Sequence, residues 1–269
     1  MRWANDGLAL AYALAWDEAD GSRLVELGTT DGYSQQLVDT VVARPAGVEP
    51  TLPPEPPMPP EPGFAILDIL GYDRAAGRLV VIPVGGQEHR AWVGTYDLRS
   101  GNFKKQGWPP EVTSPQVVAL SPDMGLLAVA VPHRLWIYQA EDLSAEGVQV
   151  EFLEGTHAAW LSWSPDGRHL AHLLSEGETP GLEVSPALGL WIWEAGDNRS
   201  HQAVSALSPE ATLLGWTADG SAVVLITLDG ITRQRAMIMV DLEGRTRSIP
   251  LPESIRELGW LGAAWRMEP

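Results

Sequence analysis

Two histidines, His169 and His172, lie close together in an apolar stretch and are the first residues to consider as metal ligands. Imidazole is a common ligand of zinc and related metals. The stretch around them has the composition of a β-strand, however, and strand residues three apart point to opposite faces. The two side chains therefore cannot hold one metal ion, and we expect each to be an exposed or hydrogen-bonded strand histidine.

The acidic segment 17–21, with the sequence DEADG, has some features of a calcium loop. Hard cations take several carboxylate oxygens, and glycine permits a sharp turn. The segment lacks the alternating ligand spacing and the closing glutamate of that motif, so a solvated turn is the preferred interpretation. Four other acids are also expected to form turns, because their spacing follows the repeat described below: Asp6, Asp123, Asp166 and Asp219.

Sequence motifs of catalysis are missing from the chain. It contains no Gly-x-Ser-x-Gly, no His-Glu-x-x-His, no phosphate-binding P-loop and no Gly-x-Gly-x-x-Gly. There is no cysteine, which excludes a disulfide framework and thiol chemistry without fixing the compartment. The remaining histidines (His89, His133, His157 and His201) are far apart in sequence. No cofactor and no metal site are predicted.

The charge of the chain indicates which classes of partner it is expected to bind. The chain has 18 basic and 35 acidic residues, for a net charge of −17. Nucleic-acid affinity comes mainly from Lys and Arg that neutralise phosphates, so a nucleic-acid partner is not expected. No apolar run approaches the ~20 residues of a membrane span. The apolar run Leu8–Trp16 is interpreted as a strand rather than a signal segment, because acids flank it on both sides.

A repeated hairpin organises the whole sequence. Residues 159–174, AWLSWSPDGRHLAHLL, predict a strand ending at Trp163, a tight Ser-Pro-Asp-Gly turn and a second strand. Similar openings recur roughly every 40–50 residues, which indicates stacked supersecondary units. Clear copies are Trp3–Gly7 and Trp216–Gly220; weaker copies are 120–125, 72–77 and 257–260. The copy at 120–125 has its glycine displaced by one position.

The second half of each unit also repeats. An apolar strand is followed by a turn and a more polar strand, so each period holds four strands, as in a propeller blade. The third strands are predicted to end on an apolar residue followed mostly by an acid: Tyr96-Asp97, Tyr138-Gln139, Trp193-Glu194 and Val240-Asp241. The twelve tryptophans are expected to fill the wedges between neighbouring sheets.

The motifs at Trp163–Gly167 and Trp216–Gly220, with the aromatic-acid strand ends, resemble the WD-repeat-like propeller repeats of the TolB type. Such repeats also occur in the propeller domains of prolyl-oligopeptidase-like enzymes. The resemblance covers nearly the whole chain. It implies a β-propeller whose strand before each turn is innermost in its blade, and a bacterial protein that works outside the cytoplasm, in the periplasm or at the cell surface.

The predicted architecture is therefore a single all-β domain, 1–269, with a proline-rich insertion at 44–62. The insertion is expected to be extended polyproline II. Five blades are predicted at Trp3 to Thr40, Phe64 to Trp108, Val117 to Phe152, Ala159 to Val204 and Leu213 to Leu251. Residues 255–266 give at most two more strands. Six blades with an incomplete last blade are favoured over five blades with a C-terminal hairpin, and the open sheet edge predicts possible self-association.

One face of such a propeller carries the longer loops. The predicted second-to-third strand loops are 17–21, 85–90, 175–186 and 229–233, whereas the Pro-Asp-Gly turns on the other face are short. Loops longer than a hairpin requires are commonly functional. The binding surface is therefore predicted on the long-loop face, with these candidate residues: Glu88, His89, Arg90, Glu176, Glu178, Glu183 and Arg233.

Two functions are open on the sequence alone. The preferred one is a non-catalytic module or scaffold that binds a protein or peptide on the long-loop face. The alternative is a propeller hydrolase or lactonase-like enzyme with a metal in the central channel, which would need converging Asp, Glu, Asn or His side chains. The innermost strands, such as Val118–Leu120 and Leu161–Trp163, are poor in those residues.

Overall fold

The structure is a computed structural model, and it describes residues 2–3, 10–17, 23–30, 35–43, 66–84, 90–152, 155–176, 187–205, 207–208, 211–228 and 235–249. Every regular element within these residues is a β-strand. No helix in the described part has the length and apolar character needed to cross a membrane. The chain divides into two compact units, Met1–Glu111 and Val112–Pro269.

The first unit contains two antiparallel sheets of four strands, which we call blades 1 and 2. In each, the strands follow one another in chain order. Blade 1 consists of β1 (Arg2–Trp3), β2 (Leu10–Asp17), β3 (Arg23–Thr30) and β4 (Gln35–Ala43). Blade 2 consists of β5 (Ile66–Asp73), β6 (Arg78–Val84), β7 (Trp92–Asp97) and β8 (Phe103–Gly107).

The second unit contains three sheets of the same kind, blades 3 to 5. Blade 3 consists of β9 (Val117–Leu120), β10 (Leu126–Val131), β11 (Arg134–Gln139) and β12 (Val148–Glu151). Blade 4 consists of β13 (Thr156–Trp163), β14 (His169–Glu176), β15 (Ala187–Glu194) and β16 (Arg199–Val204). Blade 5 consists of β17 (Thr212–Trp216), β18 (Ala222–Leu228), β19 (Arg235–Asp241) and β20 (Thr246–Ile249).

The predicted four-stranded antiparallel blades are confirmed, and so are the ends of four third strands at Asp97, Gln139, Glu194 and Asp241. The proline-rich insertion at 44–62 and the sixth opening at 257–260 lie outside the described residues. The number of blades and the single-domain organisation therefore stay predictions.

The five blades share one register between their first two strands. The residue at the tryptophan position always pairs with the residue seven positions later, across a turn of constant length. The pairs are Trp3 with Leu10, Tyr72 with Leu79, Leu120 with Leu127, Trp163 with Leu170, and Trp216 with Val223. Because a slip of one residue would turn every side chain to the wrong face, this constancy shows that the openings are equivalent positions.

The turn after the first strand requires one residue in the left-handed region. Gly167 and Gly220, four residues after the tryptophan position, occupy it with φ of 69° and 70°, whereas in blade 2 the left-handed residue comes one position later, at Gly77 with φ of 68°. In blade 3 the displaced glycine leaves Met124 at the position of Gly167 and Gly220, with φ of 60°. Glycine adopts this conformation without a steric penalty, whereas methionine does not. Met124 is 2% exposed, so burial of its side chain offsets the backbone strain.

The core of the second unit consists of two apolar layers, one on each side of blade 4. Strand β14 contributes to both, because its side chains alternate between the faces. Leu170 and Leu174 pack with Ala128, Ala130, Leu135, Ile137 and Val150 of blade 3. Ala171 and Leu173 pack with Leu213, Trp216, Val223, Leu225 and Val240 of blade 5. Blade 4 is thus buried on both faces.

A tryptophan-to-carbonyl hydrogen bond links successive first strands in this unit. Strand β13 contacts both β9 and β17. The indole Nε1 of Trp163 donates to the carbonyl of Ala119, at 3.2 Å, and that of Trp216 donates to the carbonyl of Ser162, at 2.9 Å. Each acceptor immediately precedes the residue at the tryptophan position of the preceding blade, Leu120 or Trp163. The bond therefore repeats with the blades.

A buried histidine lies in the layer between blades 3 and 4. His172 is 1% exposed and its ring lies 5.4 Å from that of Phe152. Within the described residues its Nδ1 atom has no hydrogen-bond partner. Burial lowers the pKa of His172 to about 4, and a hydrogen bond to the Leu170 backbone opposes this shift only in part. The side chain is therefore neutral near pH 7.

Trp216→Phe should lower the free energy of unfolding by about 1–3 kcal/mol, because it leaves the Ser162 carbonyl without its indole donor. The matched control is Trp193→Phe. Trp193 is 2% exposed, and its Nε1 has no hydrogen-bond partner in the described part of the chain. Urea unfolding of both variants measures the difference. Equal losses would contradict a specific role for the indole hydrogen bond.

Protein stability should fall as the pH is lowered from about 6.5 toward 4, because the unfolded chain then protonates His172 while the folded chain does not. The slope attributable to this residue is at most about 1.4 kcal/mol per pH unit. His172→Leu should remove that part of the slope, and the exposed His201→Gln should keep it. Urea unfolding between pH 4 and 7 measures the slopes; an unchanged slope in His172→Leu would refute the assignment.

Candidate functional site

The loops of each blade lie at two edges, because successive strands run in opposite directions. We call the edge with the second-to-third strand connections the long-loop edge, and the other the turn edge. The connections at the long-loop edge are 18–22, 85–91, 177–186 and 229–234 in blades 1, 2, 4 and 5, and only Pro132–His133 in blade 3. Strand β14 extends through Glu176, so the blade 4 loop is shorter than the sequence indicates.

At the turn edge, acidic side chains close the turns. The Oδ1 atom of Asp123 accepts from the Ser121 hydroxyl, and that of Asp166 accepts from the Ser164 hydroxyl. Hydrogen bonds from Thr217 and from Ser221 lower the pKa of Asp219 to about 2. The predicted turn-forming role is confirmed for these three acids, whereas Asp6 lies outside the described residues. Their carboxylates are engaged with their own turns.

Arg90 marks the long-loop edge of blade 2. Its backbone is in the left-handed region, with φ of 51°, which is strained for a residue with a side chain. Two hydrogen bonds hold it there: its amide donates to the carbonyl of Pro83 at 2.6 Å, and its carbonyl accepts from the indole Nε1 of Trp108. Such strained residues persist where the surroundings fix them, and they cluster at binding and catalytic sites.

The guanidinium of Arg90 is partly buried at this edge. Burial lowers its pKa, and the negative charge of Asp68 on β5 partly opposes that effect. Asp68 is exposed, and one of its carboxylate oxygens accepts from the Ile69 amide at 2.9 Å. In the described part of the chain no ion pair is formed by the Arg90 side chain.

Arg90, Asp68 and Trp108 together give blade 2 a polar site with an aromatic border. A guanidinium offers parallel N–H donors that match a carboxylate, and partial burial strengthens such a bond over one in open water. Trp108 is half-buried, so part of its ring can contact a ligand. The arrangement can bind a carboxylate.

The long-loop edge of blade 4 is different in character. Glu176 is exposed at the end of β14, paired with Thr156 at the start of β13. Behind it, Ser175 and His157 are buried, at 6% and 2% exposure. An exposed carboxylate at the border of the 177–186 loop can interact with a cationic group.

Among the tryptophans whose burial the structure describes, Trp160 is the exception, because its side chain is 46% exposed. It lies in β13 next to a register shift between Ala158 and Trp160, where Ala159 is an extra residue. A β-bulge of this kind re-aims neighbouring side chains. Trp163, three positions later, is 7% exposed and belongs to the core. Trp160 therefore presents an aromatic surface on the first strand of blade 4.

Only two of the seven sequence-predicted site residues can be placed. Arg90 belongs to the first compact unit and Glu176 to the second, each at the long-loop edge of its blade. The others lie outside the described residues: Glu88, His89, Glu178, Glu183 and Arg233. Sequence reasoning missed Asp68, Trp108 and Trp160. An acid in an otherwise apolar first strand was a visible signal for Asp68, but the bulge that exposes Trp160 leaves no local signature.

The histidine pair does not form a metal site. His172 lies in the layer with blade 3, whereas the ring of His169 lies 5.9 Å from Trp216 of blade 5. The predicted opposite orientation is confirmed, and His172 is buried rather than exposed. Among the residues that the structure describes, no group of three or more His, Asp or Glu side chains is arranged to hold a metal ion.

No family model and no curated protein matches the chain. Among solved structures, it is similar to dipeptidyl peptidase 4 of Porphyromonas gingivalis, at 14% identity and a TM-score of 0.50, over 92% of this chain and 39% of that one. It is also similar to an oligogalacturonate lyase of Vibrio parahaemolyticus, at 12% identity and a TM-score of 0.52, over 91% of this chain and 62% of that one.

A third match is a protein assigned as TolB from Agrobacterium tumefaciens, at 10% identity and a TM-score of 0.47. The match covers 81% of this chain and 66% of that one. A match at that TM-score does not support the TolB-type resemblance, which stays an expectation from the repeat residues. The chain spans only 39% and 62% of the lengths of the peptidase and the lyase. At these identities the likeness concerns fold alone: the chain is an all-β protein of four-stranded propeller blades.

Proposed function

We propose that the protein is a non-catalytic binding module that takes a protein or peptide segment on its long-loop edges. The observation that carries the proposal is the Arg90 site, where a partly buried guanidinium lies on a strained, doubly hydrogen-bonded backbone. A rigid charged group of this kind is a typical anchor at protein interfaces, where arginine is enriched.

The proposed ligand of blade 2 is a peptide segment that carries a carboxylate. The net charge of −17 steers cationic partners toward the molecule, and exposed Glu176 offers them a contact. Arg90 provides the complementary site for one acidic side chain or a terminal carboxylate. The TolB-type resemblance of the repeats supports a place for this module outside the cytoplasm of a bacterium.

The enzyme alternative has less support. A metal in the channel needs converging ligands on first strands. Among the described first strands, acids occur only in β5, as Asp68 and Asp73; strands β9, β13 and β17 contain no Asp or Glu, and their one histidine, His157, is 2% exposed. The peptidase and lyase activities belong to the two structural neighbours, and the fold that they share with this chain supports many functions.

Shortening the blade 4 loop should abolish binding without changing stability. Residues 177–186 would be replaced by a two-residue Asn-Gly turn, which suits a β-hairpin. The probes are peptides selected on the intact protein from a displayed random library. We expect at least a tenfold loss in affinity by calorimetry and a melting temperature within 2 °C, on the order of a neutral surface change. Unchanged peptide affinity, or a library that yields no binder, would refute the proposal.

Arg90→Gln should weaken the binding of carboxylate-bearing peptides selected on the intact protein by about 1.5–3 kcal/mol, because it removes a hydrogen bond between charged groups. The matched control is Arg168→Gln, an exposed arginine at the turn edge of blade 4. Its loss should change the peptide dissociation constants less than about twofold. Titration calorimetry at two salt concentrations separates the local bond from general charge effects. Equal losses in the two variants would show that Arg90 has no specific role.

A further inference from the structure

The exposure of Trp160 belongs to its position in the blade. Trp160 pairs with Leu173, which lies ten positions after Trp163 at the tryptophan position. The same register recurs in blades 2, 3 and 5, where the pairs are Asp68 with Ile82, Val117 with Ala130, and Thr212 with Ile226. We give the name open positions to the four first-strand members of these pairs: Asp68, Val117, Trp160 and Thr212. All four are exposed or half-buried, whereas their partners Ile82, Ala130 and Leu173 are at most 2% exposed.

Trp160 stands on an uncharged wall in the second unit. Strand β13 contacts β9 and β17, so Val117 and Thr212 are the open positions on the strands that flank it. These three strands contain no Asp, Glu, Lys or Arg. Val117 and Leu161 are apolar and half-buried. A ligand that reaches the ring therefore meets mainly apolar surroundings, in which electrostatic attraction is stronger than in open water.

Within the described part of the chain, the ring of Trp160 has no aromatic or cationic partner. Blade 2 shows the contrast. The exposed ring of Phe103 lies 5.7 Å from that of Trp92, and the Lys105 ammonium lies 4.6 Å from the Trp92 ring centre. The aromatic cluster of blade 2 thus has a cation from the chain itself, whereas the described residues supply none to Trp160.

The charge of the protein favours a cationic occupant for this ring. The net charge of −17 raises the concentration of cations near the surface. Tryptophan is the best aromatic partner for a cation, arginine is the more frequent cation, and the attraction grows when the pair is shielded from water. Exposed Glu176 lies three positions after Leu173 in β14, about 10 Å along the strand. That distance is close to the screening length in ~0.1 M salt, so the Glu176 charge also attracts a cation at Trp160.

We propose that Trp160 is a cation–π anchor for an arginine side chain of a bound peptide, with the guanidinium stacked on the exposed ring. The inference rests on the proposed function only for the kind of ligand, a peptide, and the site is separate from Arg90. A second arginine about three residues along an extended segment would lie near Glu176, since extended chains rise by about 3.3 Å per residue. In blade 2 the residue at the open position, Asp68, acts on Arg90, so one position of the repeat serves two ligand chemistries.

NMR titration of the full chain, with nitrogen-15 in its tryptophans, tests the proposal. The first probe is a glycine peptide with two arginines three positions apart, acetylated and amidated at its ends. The second has citrulline, a neutral analogue of arginine, at both positions. Because one cation–π contact is weak, the titration extends to about 20 mM peptide. The arginine peptide should shift the Trp160 indole signal until it saturates, and the citrulline peptide should bind at least fivefold more weakly. No shift at Trp160, or equal binding of the two peptides, would overturn the proposal.

Two variants locate the contact. Trp160→Leu should weaken binding of the arginine peptide about fivefold, the effect of one lost cation–π contact. Glu176→Gln should weaken it about twofold at low salt and less at high salt. The matched control is Phe103→Leu, which removes an equally exposed ring of blade 2 and should change the affinity less than twofold. Equal effects of Trp160→Leu and Phe103→Leu would refute the site. If Trp160→Leu fails to fold, the citrulline comparison decides.

The outcomes distinguish this inference from the proposed function. The capped peptides carry no carboxylate, so they do not occupy the Arg90 site. If they leave Trp160 unchanged while carboxylate-bearing peptides still bind, only the Trp160 inference fails. If the displayed library yields no binder but the arginine peptide still shifts Trp160, the proposed function fails and the cation site is supported. A neutral glucose oligosaccharide is the third probe, and a shift of Trp160 by it in place of the arginine peptide would assign the ring to carbohydrate and overturn the proposal.

Discussion

The structure depends on the burial of a sheet between its neighbours, as blade 4 is buried between blades 3 and 5. Strand β14 shows the constraint, since Leu170 and Leu174 serve one layer while Ala171 and Leu173 serve the next. Each fully buried leucine contributes about 1.5–3 kcal/mol, whereas an indole hydrogen bond adds about 0.5–1.5 kcal/mol. Burial therefore supplies most of the stability, and the bonds from Trp163 and Trp216 fix the position of one blade against the next.

This division of roles leaves one edge of the blades for function. At the turn edge, serine, threonine and aspartate side chains close short turns of constant length. A Cβ atom at Gly167 would lie 3.7 Å from Oδ1 of Asp123 in the preceding blade. The side chains at that edge therefore serve to close the repeated turns. The long-loop edge is free of the constraint, and it is there that Arg90 has a strained backbone and an incompletely compensated charge.

Most of the fold could be predicted from the sequence, because the repeat encodes it locally. A turn of constant length fixes the pairing of Trp163 with Leu170 and of its counterparts. An acid at the end of the third strand closes the next turn, as Asp97 does by accepting from the amides of Arg99 and Ser100. Contacts between blades cannot be predicted from the local spacing of residues. Burial of His172 and exposure of Trp160 depend on packing and on a bulge. For the candidate site, only the edge of the blades that carries it could be predicted. Loop length indicates where binding can occur, but not which side chains are held rigidly.

The most direct test is hydrogen exchange of the tryptophan indoles, followed by NMR on protein with nitrogen-15 in its tryptophans and assigned by single Trp→Phe variants. The account predicts slow exchange for the indole protons of Trp163 and Trp216, which are bonded between first strands, and near-solvent exchange for exposed Trp160. If the indoles of Trp163 and Trp216 exchange as fast as that of Trp160, successive blades are not joined in this way and the equivalence of the tryptophan positions fails.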